Sequence, residues 1–266
     1  MARITETERE MYYIISGSTG GISPGNLSKQ MKTDLFEVRK ILANSPLFTG
    51  LCYRNSRGSY CPMICRSRPH YGLENYSWFY SSADQFLKTG EPAFMEKMED
   101  SCLNTATIIG TPRFPQKMTK MIRCSMAGMF KDLELHSGVS QMADGYKNWE
   151  TAFHVNIAAP HGEIKMSCDV LLITGSAAYP ITFVNAAAPS DKIISKIFEK
   201  TEFFSVILGE ECPVIPCAVM VESSGTFSTV SVHNAETDSD IAIPVCSRDM
   251  MYRIITELSL FLADTK

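Results

Sequence analysis

The chain of 266 residues has no run of apolar residues long enough to cross a membrane. A spanning helix needs about 18 or more consecutive apolar residues, and no stretch approaches that length. The first twenty residues, MARITETEREMYYIISGSTG, are too acidic for a secretory leader. These absences predict a soluble, cytoplasmic protein with no membrane partner.

Phosphate-binding loops and disulfide spacing are also missing. The sequence contains neither a Walker loop nor a Gly-x-Gly-x-x-Gly loop, which disfavours nucleotide hydrolysis and hydride transfer. Its five histidines are scattered and define no catalytic triad. Its nine cysteines are odd in number and irregularly spaced, unlike a secreted disulfide framework. We expect most of them to be reduced thiols in the core.

The charges are distributed unevenly along the chain. Residues 1–70 hold ten lysines and arginines against five acidic residues, whereas the remaining 196 residues hold 15 against 24. A basic end on an acidic body indicates that the basic end binds a polyanion, while repulsion keeps the body away from it.

Helical patterns fill most of the basic end. Thr5 and Glu8 form a Thr-x-x-Glu pair of the kind that begins a helix. Ser23 followed by Pro24 begins a second helix, which ends near Met31. Both helices are amphipathic and short.

A third helix and a hairpin follow. Thr33 is predicted to cap a helix over residues 33–43, whose apolar residues face inward. The turn Asn55–Gly58 then separates two short strand-like runs, which predicts a β-hairpin.

Three helices followed by a hairpin resemble the winged helix-turn-helix family over residues 5–65. The resemblance implies that the third helix enters the major groove of double-stranded DNA and that the hairpin, the wing, touches the backbone or minor groove. It assigns the groove contacts to Lys32, Thr33, Arg39 and Lys40. It assigns the wing contacts to Arg54, Asn55 and Arg57, with Arg66 and Arg68 close behind.

Two acidic residues, Asp34 and Glu37, depart from that pattern because phosphates repel carboxylates, so the docking face stays open. An alternative interpretation is a dimerisation or protein-binding module without a nucleic-acid role, since a fold does not determine a function. The arginines of the wing favour DNA, because exposed arginines are common phosphate partners.

The second part of the chain has the pattern of an α/β domain. A methionine-rich helix over residues 115–135 is predicted to pack into a core rather than to hold a cofactor. The order that follows is three strands, a helix, further strands and a last helix, which predicts an α/β fold (α+β overall) with a mixed sheet. The predicted boundaries are 1–68 for the winged helix, 69–112 for a connecting segment and 113–266 for the α/β domain.

This order resembles the core of the PD-(D/E)XK restriction endonucleases. In that family two carboxylates hold Mg²⁺ beside the scissile phosphate, and a lysine orients the attacking water. The resemblance implies Glu150 and Asp169 as metal ligands and catalytic residues. The third strand, PITFVNA, lacks the family's Glu-x-Lys. Lys192 on the next helix is one replacement for the missing lysine, and the earlier Glu163-Ile-Lys165 is another.

Two smaller patterns remain open. Lys192, Lys196 and Lys200 are four apart and share one helix face, which is typical of a solvated surface and would also suit a second contact with DNA. Four potential zinc ligands occur in and after the wing, although their spacing matches no zinc motif and buried strand cysteines explain them more simply. They are Cys52, Cys61, Cys65 and His70.

The sequence therefore predicts a sequence-directed DNA-binding protein, expected to be a homodimer. Its nuclease-like domain is expected to be degenerate and to serve dimerisation or sensing, as in a regulator. The first alternative is a Mg²⁺-dependent DNA endonuclease of the restriction or defence type. The second is a protein-interaction module.

Overall fold

The computed structural model describes residues 4–18, 20–63, 69–109, 114–136, 143–158, 164–209, 212–234 and 239–263. The described residues up to 63 are mostly helical, and a β-hairpin follows the helices. The elements are α1 (Glu6–Ser16), α2 (Pro24–Met31), α3 (Leu35–Asn44), α4 (Pro46–Leu51), β1 (Cys52–Arg54) and β2 (Tyr60–Pro62). β1 and β2 pair antiparallel, which confirms the predicted hairpin.

Side-chain caps begin α1 and α2 where the sequence predicts. The Thr5 hydroxyl accepts a hydrogen bond from the Glu8 N–H, and the Glu8 carboxylate accepts one from the Thr5 N–H at 2.6 Å. This reciprocal pair satisfies two donors that a helix start leaves open. Ser23 caps α2 by accepting from the Asn26 N–H, with Pro24 at the first helical position.

The cap of α3 differs from the prediction. Asp34, not Thr33, is the capping residue, because its carboxylate accepts hydrogen bonds from the Phe36 and Glu37 N–H groups. The Thr33 hydroxyl instead donates to the Met31 carbonyl at 3.2 Å. The carboxylate of Asp34 therefore has a structural partner inside the first turn of α3.

A two-way backbone pairing joins the hairpin to the segment before α2. The Ile22 N–H donates to the Tyr60 carbonyl at 2.9 Å, and the Tyr60 N–H donates back at 2.8 Å. Gly21 has φ of +78°, and a Cβ there would lie 2.9 Å from the Tyr60 carbonyl oxygen. Only glycine allows both this conformation and this close approach.

A mixed seven-stranded sheet forms the centre of the second part. Its strands are β3 (Phe79–Ser82), β4 (Glu150–Ala158), β5 (Ile164–Ile173), β6 (Ala178–Val184), β7 (Cys217–Met220), β8 (Phe227–Asn234) and β9 (Ser239–Ser247). The order is β3-β4-β5-β6-β7-β9-β8. β3 to β6 form an antiparallel meander, β6, β7 and β9 are parallel, and β8 returns antiparallel to β9.

Helices cover both faces of this sheet, which confirms the α/β fold class. They are α5 (Ala83–Lys88), α6 (Glu91–Ile109), α7 (Gln116–His136), α8 (Asp191–Leu208) and α9 (Tyr252–Ala263). The crossover between parallel β6 and β7 contains α8. Met126 and Met129 of α7 are buried with Phe130 against one face, which confirms the prediction that the methionine stripe is core.

The segment 69–112 contains more regular structure than its sequence pattern indicates. Its residues supply β3, the edge strand beside β4, together with α5 and α6. Phe86 and Phe94 of these helices pack on Phe153 of β4. No helix in the described ranges is both long enough and apolar enough to span a bilayer.

The N-terminal helices share a hydrophobic cluster with the sheet. Tyr12 of α1 and Leu42 of α3 belong to the same buried cluster as Leu171 of β5 and Phe204 of α8. Arg9 of α1 also forms an ion pair with Glu202 of α8 at 3.9 Å. The helices that precede the hairpin therefore pack directly on the α8 side of the sheet.

Candidate nucleic-acid interface

One side of α3 faces solvent and carries both an aromatic ring and positive charge. Val38 and Leu42 are buried on the inner side of this helix. Arg39 and Lys40 are exposed, and Phe36 exposes 76% of its surface. At 100° per residue, Phe36 and Lys40 lie at the centre of the outer face, opposite the buried side chains.

The acidic residues near this face have partners of their own. Asp34 is occupied by the backbone N–H groups that begin α3. Glu37 lies 3.8 Å from Lys40, although both side chains are about half exposed and the pair contributes little to stability. Both carboxylates therefore lie beside the basic face of α3, and each has a partner within the helix or its cap.

The turn before α3 is compact and presents a lysine. Lys32 ends α2 in the left-handed conformation, with φ of 54°, and its side chain is exposed. The Ser28 hydroxyl donates to the Thr33 carbonyl at 2.7 Å, and the Thr33 side chain is half-buried. Of the two predicted contact residues in this turn, Lys32 is thus the one placed to reach a ligand.

The hairpin turn is built by Asn55, while Arg54 and Arg57 stay exposed. The Asn55 side-chain oxygen accepts from the Arg57 and Ser59 N–H groups, each at 3.0 Å. The Arg54 Nε–H donates to the Gly58 carbonyl at 3.2 Å, which orients its guanidinium. The sequence predicts a DNA contact for Asn55, and in the structure its side-chain oxygen holds the turn.

The other predicted wing residues and the potential zinc ligands lie in or after the hairpin along the chain. Arg66 and Arg68 lie outside the described residues, and so does Cys65 of the four potential zinc ligands. Cys52 and Cys61 are buried thiols of the hairpin. Burial raises the pKa of Cys52, with a smaller contribution from Cys61.

Residues 21–25 spell Gly-x-Ser-x-Gly, the pattern of a hydrolase nucleophile, but their structure does not support that chemistry. The Ser23 hydroxyl accepts the Asn26 N–H as a helix cap. The residue after such a nucleophile must supply an N–H to the oxyanion hole, and here it is Pro24, which has none. This serine is a capping residue.

The two predicted metal ligands are separated by the register of the sheet. Glu150 of β4 lies opposite Ile173 of β5, four residues from Asp169 along that strand. At about 3.3 Å per residue, the separation along the strand is roughly 13 Å, too far for one Mg²⁺ ion to bridge. The Glu150 carboxylate accepts a hydrogen bond from the Tyr80 hydroxyl at 2.6 Å. These residues do not fit a shared Mg²⁺ site.

Asp169 has a backbone partner on the next strand. The Phe183 N–H of β6 donates to its carboxylate at 2.7 Å, just beyond the last β5–β6 backbone pair at Val170 and Ile181. Burial raises the pKa of Asp169, and the Phe183 N–H and the Lys200 charge partly oppose that rise. This is the arrangement of a structural carboxylate that ends a ladder of hydrogen bonds.

The lysine that influences Asp169 is Lys200, not the predicted Lys192. Lys192 is exposed in the first turn of α8, whereas Lys200 is half-buried eight residues later. Eight residues correspond to about 12 Å along a helix. The four-residue spacing of Lys192, Lys196 and Lys200 was the signal that pointed to this helix face.

His154, which the sequence patterns did not single out, lies opposite Asp169 at a break in the β4–β5 ladder. Its φ is +46°. Phe153 pairs with Val170 and Val155 pairs with Cys168, whereas His154 between them has no partner in the register. Its ring lies 4.7 Å from that of Trp78, and its Nε2 is 3.3 Å from the Thr119 hydroxyl of α7. Burial lowers the pKa of His154 to about 4, so the ring is neutral at neutral pH.

Among the residues that the structure describes, no three histidine, cysteine, aspartate or glutamate side chains are grouped so as to bind a metal ion. Comparison with protein-family models, curated proteins and solved structures finds no match to this chain. What the structure defines is an α/β protein with a mixed seven-stranded sheet and an N-terminal group of helices that ends in a hairpin.

Proposed function

We propose that this chain is a double-stranded DNA-binding protein of the regulator type. The observation that carries the proposal is the outer face of α3, where exposed Arg39 and Lys40 accompany Phe36 one turn from the helix start. Arg54 and Arg57 are exposed on the hairpin that follows. The element order, with a residue before α2 pairing to the hairpin, supports the resemblance to a winged helix-turn-helix.

The hairpin arginines test this function. In fluorescence anisotropy with mixed-sequence duplexes, the double variant Arg54→Ala/Arg57→Ala should bind all sequences more weakly. It should also flatten the plot of log affinity against log salt by about two units in slope, because each phosphate contact contributes roughly one. A control that removes the same charge is Lys117→Ala/Lys131→Ala, two exposed lysines of α7. Equal behaviour of the two double variants, or no duplex binding at low salt, would contradict the proposal.

In this proposal the α/β part does not cut DNA. The support is the separation of Glu150 from Asp169 and their existing hydrogen bonds to Tyr80 and Phe183. Plasmid incubated with the protein and Mg²⁺ should stay intact. Cleavage that needs Mg²⁺ and disappears in Asp169→Ala would instead establish the endonuclease.

The α/β part is proposed to hold two copies together. β8 is an edge strand of eight residues. Proteins usually block pairing at an edge with charged residues or proline, and β8 contains neither. The opposite edge strand, β3, has only four residues. A strand that pairs antiparallel with its own copy brings no like charges together here, so a second copy of this chain is the partner that β8 fits.

A two-fold dimer also suits the proposed DNA binding. Helix-turn-helix proteins commonly bind two half-sites related by the symmetry of the dimer. A regulator of this type would present one α3 to each half-site.

A further inference from the structure

The aromatic ring of Phe36 stands out on the surface that we propose to bind DNA. Single exposed apolar side chains are common on proteins and by themselves indicate nothing. Among the exposed aromatic residues described, however, Phe36 exposes the most, at 76%, against 56% for Tyr13 and 42% for Tyr53. Unlike the two tyrosines, it has no hydroxyl with which to bond to water.

The position of Phe36 on α3 is well fixed. It is the second residue of the helix, and its N–H donates to the Asp34 carboxylate at 2.8 Å, so the cap holds the first turn. Val38 and Leu42 anchor the opposite side of α3 in the core. Its side chain therefore projects from the N-terminal end of the outer face, the end of a recognition helix that contacts base edges.

The neighbours of Phe36 determine what the ring can contact. Arg39 and Lys40 lie three and four residues later, on the adjoining turn of the same face. Cations at those positions suit phosphates and base acceptors, whereas a phenyl ring makes no hydrogen bond. In the major groove the apolar group at the edge of an ordinary base pair is the C5-methyl of thymine.

We propose that Phe36 reads sequence by packing against the C5-methyl group of a thymine in the major groove. This inference rests on the proposed DNA binding and extends it by naming the chemical group that is recognised. Arg39 and Lys40 then hold the helix in the groove, and Phe36 requires an A·T pair at one position of each half-site.

Replacing thymidine by deoxyuridine tests the contact, because the bases of these two nucleosides differ only by this methyl group. A preferred duplex is first selected from a random library with the full chain, and each thymine is then replaced singly. We expect affinity to fall about fourfold at one position per half-site, the effect of exposing one methyl-sized group. Replacement at the other positions should have little effect.

The Phe36→Ala variant completes the test. It should bind the thymine duplex more weakly and no longer distinguish thymine from deoxyuridine at that position, whereas Phe36→Leu should keep part of the discrimination. Leu103→Ala removes a side chain of α6 that is 58% exposed and should bind like the wild type. Because Phe36 is exposed, circular dichroism should show unchanged folding of its variants.

The outcomes separate the two proposals. If the wild type binds duplex DNA but tolerates deoxyuridine at every position, DNA binding stands and the role of Phe36 is overturned. The same holds if Phe36→Ala keeps the wild-type discrimination. If no duplex binds even at low salt, DNA binding itself fails, and Phe36 belongs to a surface for another partner.

Discussion

Asp169 is a carboxylate whose position in the sequence fits a catalytic residue and whose contacts fit a structural one. Its partner, the Phe183 N–H, lies 14 residues away on a neighbouring strand, and the partner of Glu150 lies 70 residues away at Tyr80. Sequence patterns identify the residue type and the strand. They do not identify the atom that the carboxylate meets, because that depends on strand register.

The contact of Asp169 predicts an order of stability among three proteins. Asp169→Asn keeps an oxygen that accepts the Phe183 N–H, so it should unfold at the same or higher urea concentration than the wild type at pH 7. Asp169→Ala leaves that N–H without its partner and should lose about 1–3 kcal/mol of unfolding free energy.

The pH dependence checks the same contact. Because the folded pKa of Asp169 is raised, its contribution to stability is fully present below the unfolded pKa and is lost as pH rises through the folded pKa. The Asn variant should lack this dependence. An Asn variant as unstable as the Ala variant would contradict the assignment.

His154 should make the protein sensitive to acid. Its folded pKa of about 4 lies below the ordinary histidine value of 6.5, so the unfolded chain takes up a proton that the folded chain does not. The contribution of His154 to the free energy of unfolding is therefore fully present above pH 6.5. It declines as pH falls towards 4, by a total of about 3 kcal/mol.

Denaturation of the His154→Asn variant across pH 4–7 tests this. Asparagine tolerates the positive φ of this position and does not titrate, so the decline should be smaller than in the wild type. NMR titration of the His154 ring should give a midpoint well below 6. A midpoint at the ordinary histidine value would show that the ring is solvated.

At the scale of elements, local patterns predict more than long-range pairing. The caps of α1 and α2, the hairpin, and the strand patterns of β4 to β6 all follow from residues close together in the sequence. β3 does not, because Phe79 pairs with Phe153, 74 residues away, and its short run contains no alternation that distinguishes it from a loop. The sequence places the α3 cap one residue too early, because Thr33 and Asp34 are both good capping residues.

The start of α3 offers a matched pair of variants. Asp34→Ala removes the oxygen that accepts the Phe36 and Glu37 N–H groups and should cost about 1 kcal/mol of unfolding free energy. Thr33→Ala removes a hydroxyl that donates to the Met31 carbonyl at 3.2 Å and should cost less. Urea denaturation of both variants measures the difference. A larger loss of unfolding free energy for Thr33→Ala than for Asp34→Ala would show that Thr33 is the capping residue.

For the whole molecule, the mixed sheet has one short edge and one long, uncharged edge, and the long edge predicts self-association. Sedimentation equilibrium of the full chain without DNA should give a dimer. Ser231→Lys places a charge at an exposed position near the middle of β8, where it would face its own copy, and should give a monomer.

Ser176→Lys is the control, because it adds the same charge in an exposed turn between β5 and β6. It should remain a dimer. A monomeric wild type would contradict the proposed dimer. A Ser231→Lys variant that stays dimeric would show that the two copies do not meet at β8.

The hydrophobic cluster that α1 and α3 share with β5 and α8 has a consequence for any DNA site. Because this cluster fixes α3 against the sheet, a dimer formed through β8 would hold its two α3 helices at a fixed distance, with no flexible linker between them. Half-sites would then have to be a fixed number of base pairs apart. Five additional base pairs would turn one of them to the far side of the double helix, out of reach of the second copy.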